Sequence, residues 1–347
     1  MATSHPSPRG QLAIASCRSG TYLATSVAAA YPGDQDRPLT LLTDLDDNFS
    51  DSETIVRLQH DVSGKDVFLF QALYDPTSAR SIDQNYMAFF IAARAFREWG
   101  ANYVTAVLPY LAYARQDKPA PFAYEPTTAK LTADFAATAG IDRLVTWHPS
   151  LRQIHGFYGG MPVHVLDALG FFAHRFRDLA GRSDVVAVAP DVGASKFVTH
   201  LGRTLDLSCA IASKYRPQPE HAVVNEIIGN ISGRKIALVI DDMISTGGTI
   251  AAVVQRLAEA GIAEIIVGVS HNLCQPVAHE RLRTLHENYN LSRLIVTNTI
   301  PQTQPFRDLP FLEVYDLSDL FARAVHQIHH NQPLHDLYRF KAKESAQ

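Results

Sequence analysis

Cysteine is scarce. Cys17, Cys209 and Cys274 are the only three in 347 residues, and no two are spaced as CxxC. That excludes a disulfide framework or a zinc ribbon and points to a reducing cytoplasm. No apolar run approaches the roughly 20 residues that a membrane helix needs, so no membrane partner is expected. The first residues, MATSHPSPRGQLAIASC, hold too short an apolar stretch for a secretory signal. An excess of one charge is missing too: 31 Lys and Arg face 35 Asp and Glu, for a net charge of -4. This balance lacks the basic footprint of a dedicated nucleic-acid binder. A GxxxxGK[ST] phosphate loop is absent, as are low-complexity segments and obvious internal repeats.

What is present suits a globular α/β protein. Hydrophobic residues make up 46% of the chain and charged residues 19%, enough apolar material for sizeable cores. The length fits two domains. Compact apolar runs alternate with amphipathic stretches. KDVFLFQAL (65–73), YVTAVLPYL (103–111), DRLVTWH (142–148), DVVAVAPD (184–191), LSCAIASKYR (207–216), RKIALVIDDM (234–243), AEIIVGVSHN (263–272) and SRLIVTNTI (292–300) read as strands. Residues 85–100, 125–140, 196–205, 249–261 and 318–330 read as helices, with Gly100, Gly140 and Gly261 as stops. Strands that are apolar throughout predict parallel sheets covered on both faces by helices. A seam is expected near 150–175, and the chain ends read as loose tails. Of fifteen histidines, the tightest group is His326, His329 and His330. No acid or cysteine accompanies them, so a solvated helix end is expected rather than a metal site.

Ligands of such sheets sit beyond the carboxyl ends of strands, and three loops there stand out. In VIDDMISTGGTI (239–250), the adjacent Asp241 and Asp242 end an apolar run, and a loop of small residues leads into a helix. The amides and hydroxyls of Ser245, Thr246, Gly247, Gly248 and Thr249 can cradle a phosphate at the new helix N-terminus. The carboxylates cannot bind that phosphate, so they suit sugar hydroxyls, a metal ion or both. A sugar phosphate satisfies the whole segment. The second loop is PYLAYARQDKP (109–119), whose Arg115, Gln116 and Asp117 follow a strand. The third is VAPDVGASK (188–196), carrying Asp191.

Together these loops carry a resemblance. The DD…STGGT segment resembles the ribose-phosphate-binding motif of type I phosphoribosyltransferase folds. PYxxYARQD, PDVG and NFSDSE (48–53) are similar to motifs of the ribose-phosphate pyrophosphokinases, also called phosphoribosyl diphosphate synthetases. The likeness runs from about Phe49 to Tyr338. It implies two tandem type I phosphoribosyltransferase-like domains, 1–160 with the ATP-site motifs and 161–347 with the ribose-5-phosphate loop and a flexible catalytic loop, and an active site between them. It implies transfer of a diphosphoryl group from ATP to ribose 5-phosphate, with Mg²⁺ as cofactor and dimers assembling into hexamers. By the same likeness Phe49 stacks on adenine, Asp51 and Glu53 contact the nucleotide, and Arg115, Gln116 and Asp117 complete the ATP pocket. His148 and Asp191 hold Mg²⁺ and the phosphates. Asp241 and Asp242 take the ribose hydroxyls, and Ser245 to Thr249 hold the 5-phosphate. Lys214 and Arg216 stabilise the charge on the transferring group.

The chain also departs from the family pattern. Thr146-Trp147-His148 replaces D-L-H, and the stretch after His148 is two residues longer than usual. Lys214-Tyr215-Arg216 replaces K-R-R, Ser245 stands for a common Asp, and Ser52 for the usual Gly. Two rivals follow: a non-catalytic regulatory subunit of the same synthetase, and a phosphoribosyltransferase that consumes the diphosphate. The latter would need only one domain of this kind.

Overall fold

The computed structural model describes residues 9–33, 39–150, 152–218 and 221–338, and they form two compact α/β units. Each unit is a mostly parallel sheet flanked by helices, because its central strands are buried along their length and must be covered on both sides.

The first unit comprises residues up to Leu166 together with Leu317–Tyr338. Its chain order is β1 (Gln11–Ser16), α1 (Thr21–Ala30), β2 (Thr40–Leu42), β3 (Asp46–Asn48), β4 (Thr54–Val56), β5 (Lys65–Phe70), α2 (Ile82–Glu98), β6 (Tyr103–Leu108), α3 (Thr128–Ala139), β7 (Arg143–Trp147) and β8 (Val163–Leu166). Six strands form a parallel sheet in the order β2-β1-β5-β6-β7-β8, while β3 and β4 pair separately as an antiparallel ribbon. Helix α2 starts at a reciprocal cap: Ser81 Oγ accepts from Gln84 N, and Gln84 Oε1 accepts from Ser81 N. Helix α3 ends at Gly140, whose φ of 92° only glycine adopts freely.

The second unit, Asp167–Asp316, runs α4 (Ala168–Arg175), β9 (Val185–Ala189), α5 (Ser195–Leu205), β10 (Ser208–Gln218), β11 (His221–Ile228), β12 (Ile236–Ile244), α6 (Gly248–Glu259), β13 (Glu264–Asn272), α7 (Pro276–Asn288), β14 (Leu291–Thr297), α8 (Gln304–Arg307) and β15 (Leu312–Tyr315). The sheet order is β11-β10-β9-β12-β13-β14-β15, and only the β10–β11 pair is antiparallel. The alternation of β13 sorts its two faces. Ile265, Val267 and Val269 join Ile250, Val253 and Leu257 of α6 and Leu282 of α7 in one core. Gly268 points the other way, where a Cβ would lie 3.1 Å from the Phe172 ring of α4. Burying one such Leu or Ile side chain contributes about 1.5–3 kcal/mol.

The chain then returns. Helices α9 (Ser318–His329) and α10 (His335–Tyr338) belong to the first unit, where α9 packs on α1. The expected division at 160/161 places the whole of 161–347 in the second domain, and this return differs from it. Its reason is visible in the histidine cluster. His329 is buried, and its Nδ1 lies 2.8 Å from Asp66 Oδ2. Arg9 grips the same carboxylate through Nε and Nη2, both at 2.9 Å. The expected solvated helix end is therefore corrected at His329, which joins a buried ionic cluster. Among the described residues no three His, Cys, Asp or Glu side chains gather as a metal cluster, and no helix is long and apolar enough to cross a membrane.

Candidate active site

In the second unit, three adjacent strands deliver their carboxyl ends to one edge of the sheet. β9 lies between β10 and β12 and is parallel to both. Its pairing with β12 ends at Val188–Val239, and β12 continues along β13 to Ile244. The burial of β12 breaks at that point: Ile236–Ile240 are buried, and Asp241 and Asp242 are half-buried. The carboxylates thus stand where the neighbouring strand has stopped and the surface opens. Asp241 Oδ1 accepts from Asp242 N at 3.0 Å, which holds the first carboxylate against the adjacent peptide.

Ser245–Gly247 then bend into α6. Gly247 has φ 74° and ψ 2°, the left-handed region, and is the helix N-cap. A Cβ there would sit 3.5 Å from Ala278, so backbone conformation selects glycine more than crowding does. No side chain caps α6 and no acid lies in its first turn, so its N-terminal amides carry their positive dipole toward the loop. Arg281 of α7 donates from Nη1 to Thr246 O at 2.7 Å.

Asp191 follows β9 after one residue, half-buried, and its Oδ1 accepts from Ala194 N at 3.1 Å ahead of α5. Lys214 and Arg216 lie in the part of β10 that overruns β9. Pairing with β9 ends at Ile211–Ala189, and β11 alone continues alongside. The side chains of Lys214 and Arg216 fall outside the described residues. Asp191, the β10 ribbon and Asp241–Thr249 are therefore brought together at one sheet edge.

The first unit repeats the arrangement at the parallel pair β6 and β7. The loop after β6 carries Arg115 and Gln116, both exposed, and Asp117, half-buried. It is tied down by Tyr86, whose hydroxyl donates to Ala112 O at 2.9 Å. Ala129 N of α3 donates to Gln116 O at 3.1 Å. His148 follows β7 directly, half-buried, with φ 38°. The two departures before it are absorbed by the core: Thr146 and Trp147 are fully buried within β7. The Thr146 hydroxyl has no hydrogen-bond partner among the described residues.

Phe49, Asp51 and Glu53 occupy the tip of the β3–β4 ribbon, outside the main sheet. Phe49 is 47% exposed, a large apolar ring offered to solvent. Phe49 N donates to Glu53 O at 2.8 Å, Ser52 N to Phe49 O at 3.0 Å, and Glu53 N to Asp51 Oδ1 at 3.2 Å. Ser52 has φ 77°, a conformation that glycine adopts without the Cβ penalty. The base of the ribbon is fixed by residues that no motif pointed to. Asp46 is fully buried and takes Arg18 N at 2.7 Å and the Arg80 guanidinium, which also reaches Asn48 Oδ1 at 2.6 Å. Burial, and next the charge of Asp46, push the Cys17 thiol well above its usual range, so it stays protonated beside this pair. Arg80 carried no readable signal because its partner is 34 residues away in the chain.

Residues 12–140 match the family model for the N-terminal domain of ribose phosphate pyrophosphokinase, and residues 198–339 match that for the phosphoribosyl synthetase-associated domain. The chain is 34% identical over 301 residues to a ribose-phosphate pyrophosphokinase of Mycoplasma pneumoniae, covering 87% of this chain and 88% of that one. It is 34% identical over 292 residues to one of Clostridium acetobutylicum, covering 84% and 88%. The crystal structure of phosphoribosylpyrophosphate synthetase from Mycobacterium smegmatis superposes with a TM-score of 0.78 at 30% identity, over 92% of this chain and 99% of that one.

Proposed function

The chain belongs to the ribose-phosphate pyrophosphokinase family. On that premise we propose that it transfers the diphosphoryl group of ATP to the anomeric hydroxyl of ribose 5-phosphate. The anomeric oxygen bonds to the β-phosphorus as the bond from that phosphorus to the α,β-bridging oxygen breaks. AMP leaves on that oxygen, the hydroxyl proton is lost, and 5-phosphoribosyl 1-diphosphate forms. The observation that carries this reading is the sheet edge of the second unit, where Asp191, the overrunning part of β10 and the Asp241–Thr249 loop lie beyond the end of β9.

The roles follow from chemistry. Ser245 to Thr249 hold the 5-phosphate with backbone amides and hydroxyls, and Asp241 and Asp242 accept from the ribose hydroxyls. Phe49 stacks on the base, Asp51 and Glu53 contact the nucleotide, and Arg115, Gln116 and Asp117 orient it. Lys214 and Arg216 counter the negative charge that spreads over the transferring group.

Magnesium suits the donor set: Asp191, Asp241 and Asp242 are half-buried carboxylates, and Mg²⁺ is held by one or two carboxylates with substrate phosphates completing its shell. Asp191 would hold the ion, with His148 beside it and the phosphates. When bound it neutralises phosphate charge. Homo-oligomerisation through dimers, up to hexamers, and a cytoplasmic setting complete the proposal.

The test is the nucleotide product. Purified protein with ATP, Mg²⁺ and ribose 5-phosphate should release AMP only when the sugar phosphate is present. ADP release would mean simple phosphorylation and would contradict the reading. A silent protein that still binds both substrates would favour the regulatory-subunit alternative.

A further inference from the structure

We infer that Arg281 is a positioning residue of the sugar-phosphate loop and supplies that loop with its cation. The inference rests on the reading of Ser245–Thr249 as the holder of the 5-phosphate. Arg281 lies on α7, a helix whose buried Ala278, Leu282 and Leu285 seat it in the core shared with α6. The seating brings the start of α7 against the loop, since a Cβ on Gly247 would meet Ala278 at 3.5 Å. From there Arg281 Nη1 reaches Thr246 O at 2.7 Å, across 35 residues of chain.

Two consequences follow. A trans peptide points its C=O and N–H in opposite directions. Drawing the Thr246 carbonyl to α7 therefore turns the Gly247 N–H away from α7 and fixes that peptide plane. The plane needs fixing, because Gly247 is free to sample conformations on both sides of φ zero. The second consequence is charge. The acids of α7 are taken by another arginine: Arg283 lies 2.8 Å from Glu280 and 4.0 Å from Glu287. Among the described residues no carboxylate lies within 4.0 Å of Arg281. Its permanent positive charge thus stays available beside a loop of small residues that itself bears none.

The experiment is calorimetric titration of the full chain with ribose 5-phosphate and, separately, with ATP. Arg281→Gln should weaken ribose 5-phosphate binding about tenfold or more and leave ATP binding unchanged. Arg281→Lys, which keeps the charge, should recover part of the loss. Arg283→Gln, on the same helix, should bind both ligands as the unaltered chain does. Unchanged ribose 5-phosphate binding in Arg281→Gln would overturn the inference. So would equal losses for Arg281→Lys and Arg281→Gln, or a parallel loss of ATP binding, either of which would mean a general structural role. An unaltered chain that binds ribose 5-phosphate but releases no AMP would contradict the proposed reaction and leave the Arg281 assignment standing.

Discussion

The two candidate ligand loops, one in each unit, are built by opposite means. The Asp241–Thr249 loop is made of backbone at the end of a buried parallel strand, with a glycine at the left-handed position and a helix starting behind it. The Phe49 loop is the tip of a two-stranded ribbon outside the main sheet, held at its base by Arg80, Arg18 and a buried Asp46. It carries a serine, not glycine, at its own left-handed position. A loop of the first kind takes its precision from the fold. A loop of the second kind takes it from side-chain ties, and it tolerates strain at the tip.

If both loops serve binding, the largest effect on rate belongs to neither. Lys214→Ala should lower kcat by about 10²–10³-fold, the usual loss when a positioned donor to the transition state is removed, while the ATP KM moves only a few-fold. Steady-state kinetics with each substrate varied decides this. A change confined to KM would mean that the ribbon binds and does not catalyse.

The strain at the ribbon tip sharpens the contrast further. Ser52→Gly should relieve about 1 kcal/mol of left-handed strain and lower the ATP KM by about fivefold at most, with the ribose 5-phosphate KM unchanged. A higher ATP KM would show that the serine hydroxyl contributes more than its backbone costs.

The smallest effect concerns the frame of the first unit, at the edge strand β8. Burial first, and then Arg143 and His155, lower the pKa of His164 on β8 to about 4. In the unfolded chain the same group takes a proton below about pH 6.5. Between pH 6.5 and 4 the unfolded state binds more protons, so stability falls as the pH falls through that window. His164→Gln should make the urea midpoint less sensitive to a change from pH 7 to pH 5. An identical drop in both proteins would assign the acid sensitivity to other groups.

The difference between the loops also explains what could be read from the sequence. Runs such as VVAVA and IALVI announce themselves as buried parallel strands, and the small-residue loop that follows the second is legible because backbone cradles need those residue types. β2, β3, β4 and β15 span three or four residues and are partly exposed, too short for a period to show. α7 gives a weak sequence signal because most of its residues are polar, although Ala278, Leu282 and Leu285 fall at helical spacing. The ties that decide geometry were out of reach: Arg80 to Asp46, Arg281 to Thr246 and His329 to Asp66 span 34, 35 and 263 residues. Side-chain partners so far apart leave no local pattern.

The proposed reaction divides the labour, with the nucleotide recognised by loops of the first unit and the sugar phosphate by the loop of the second. Binding of ATP and of ribose 5-phosphate should be measured separately for Arg115→Ala and Asp242→Asn. A crossed result is expected: Arg115→Ala loses ATP affinity and keeps ribose 5-phosphate, and Asp242→Asn does the reverse. Loss of both ligands in either variant, or ATP loss alone in Asp242→Asn, would contradict it.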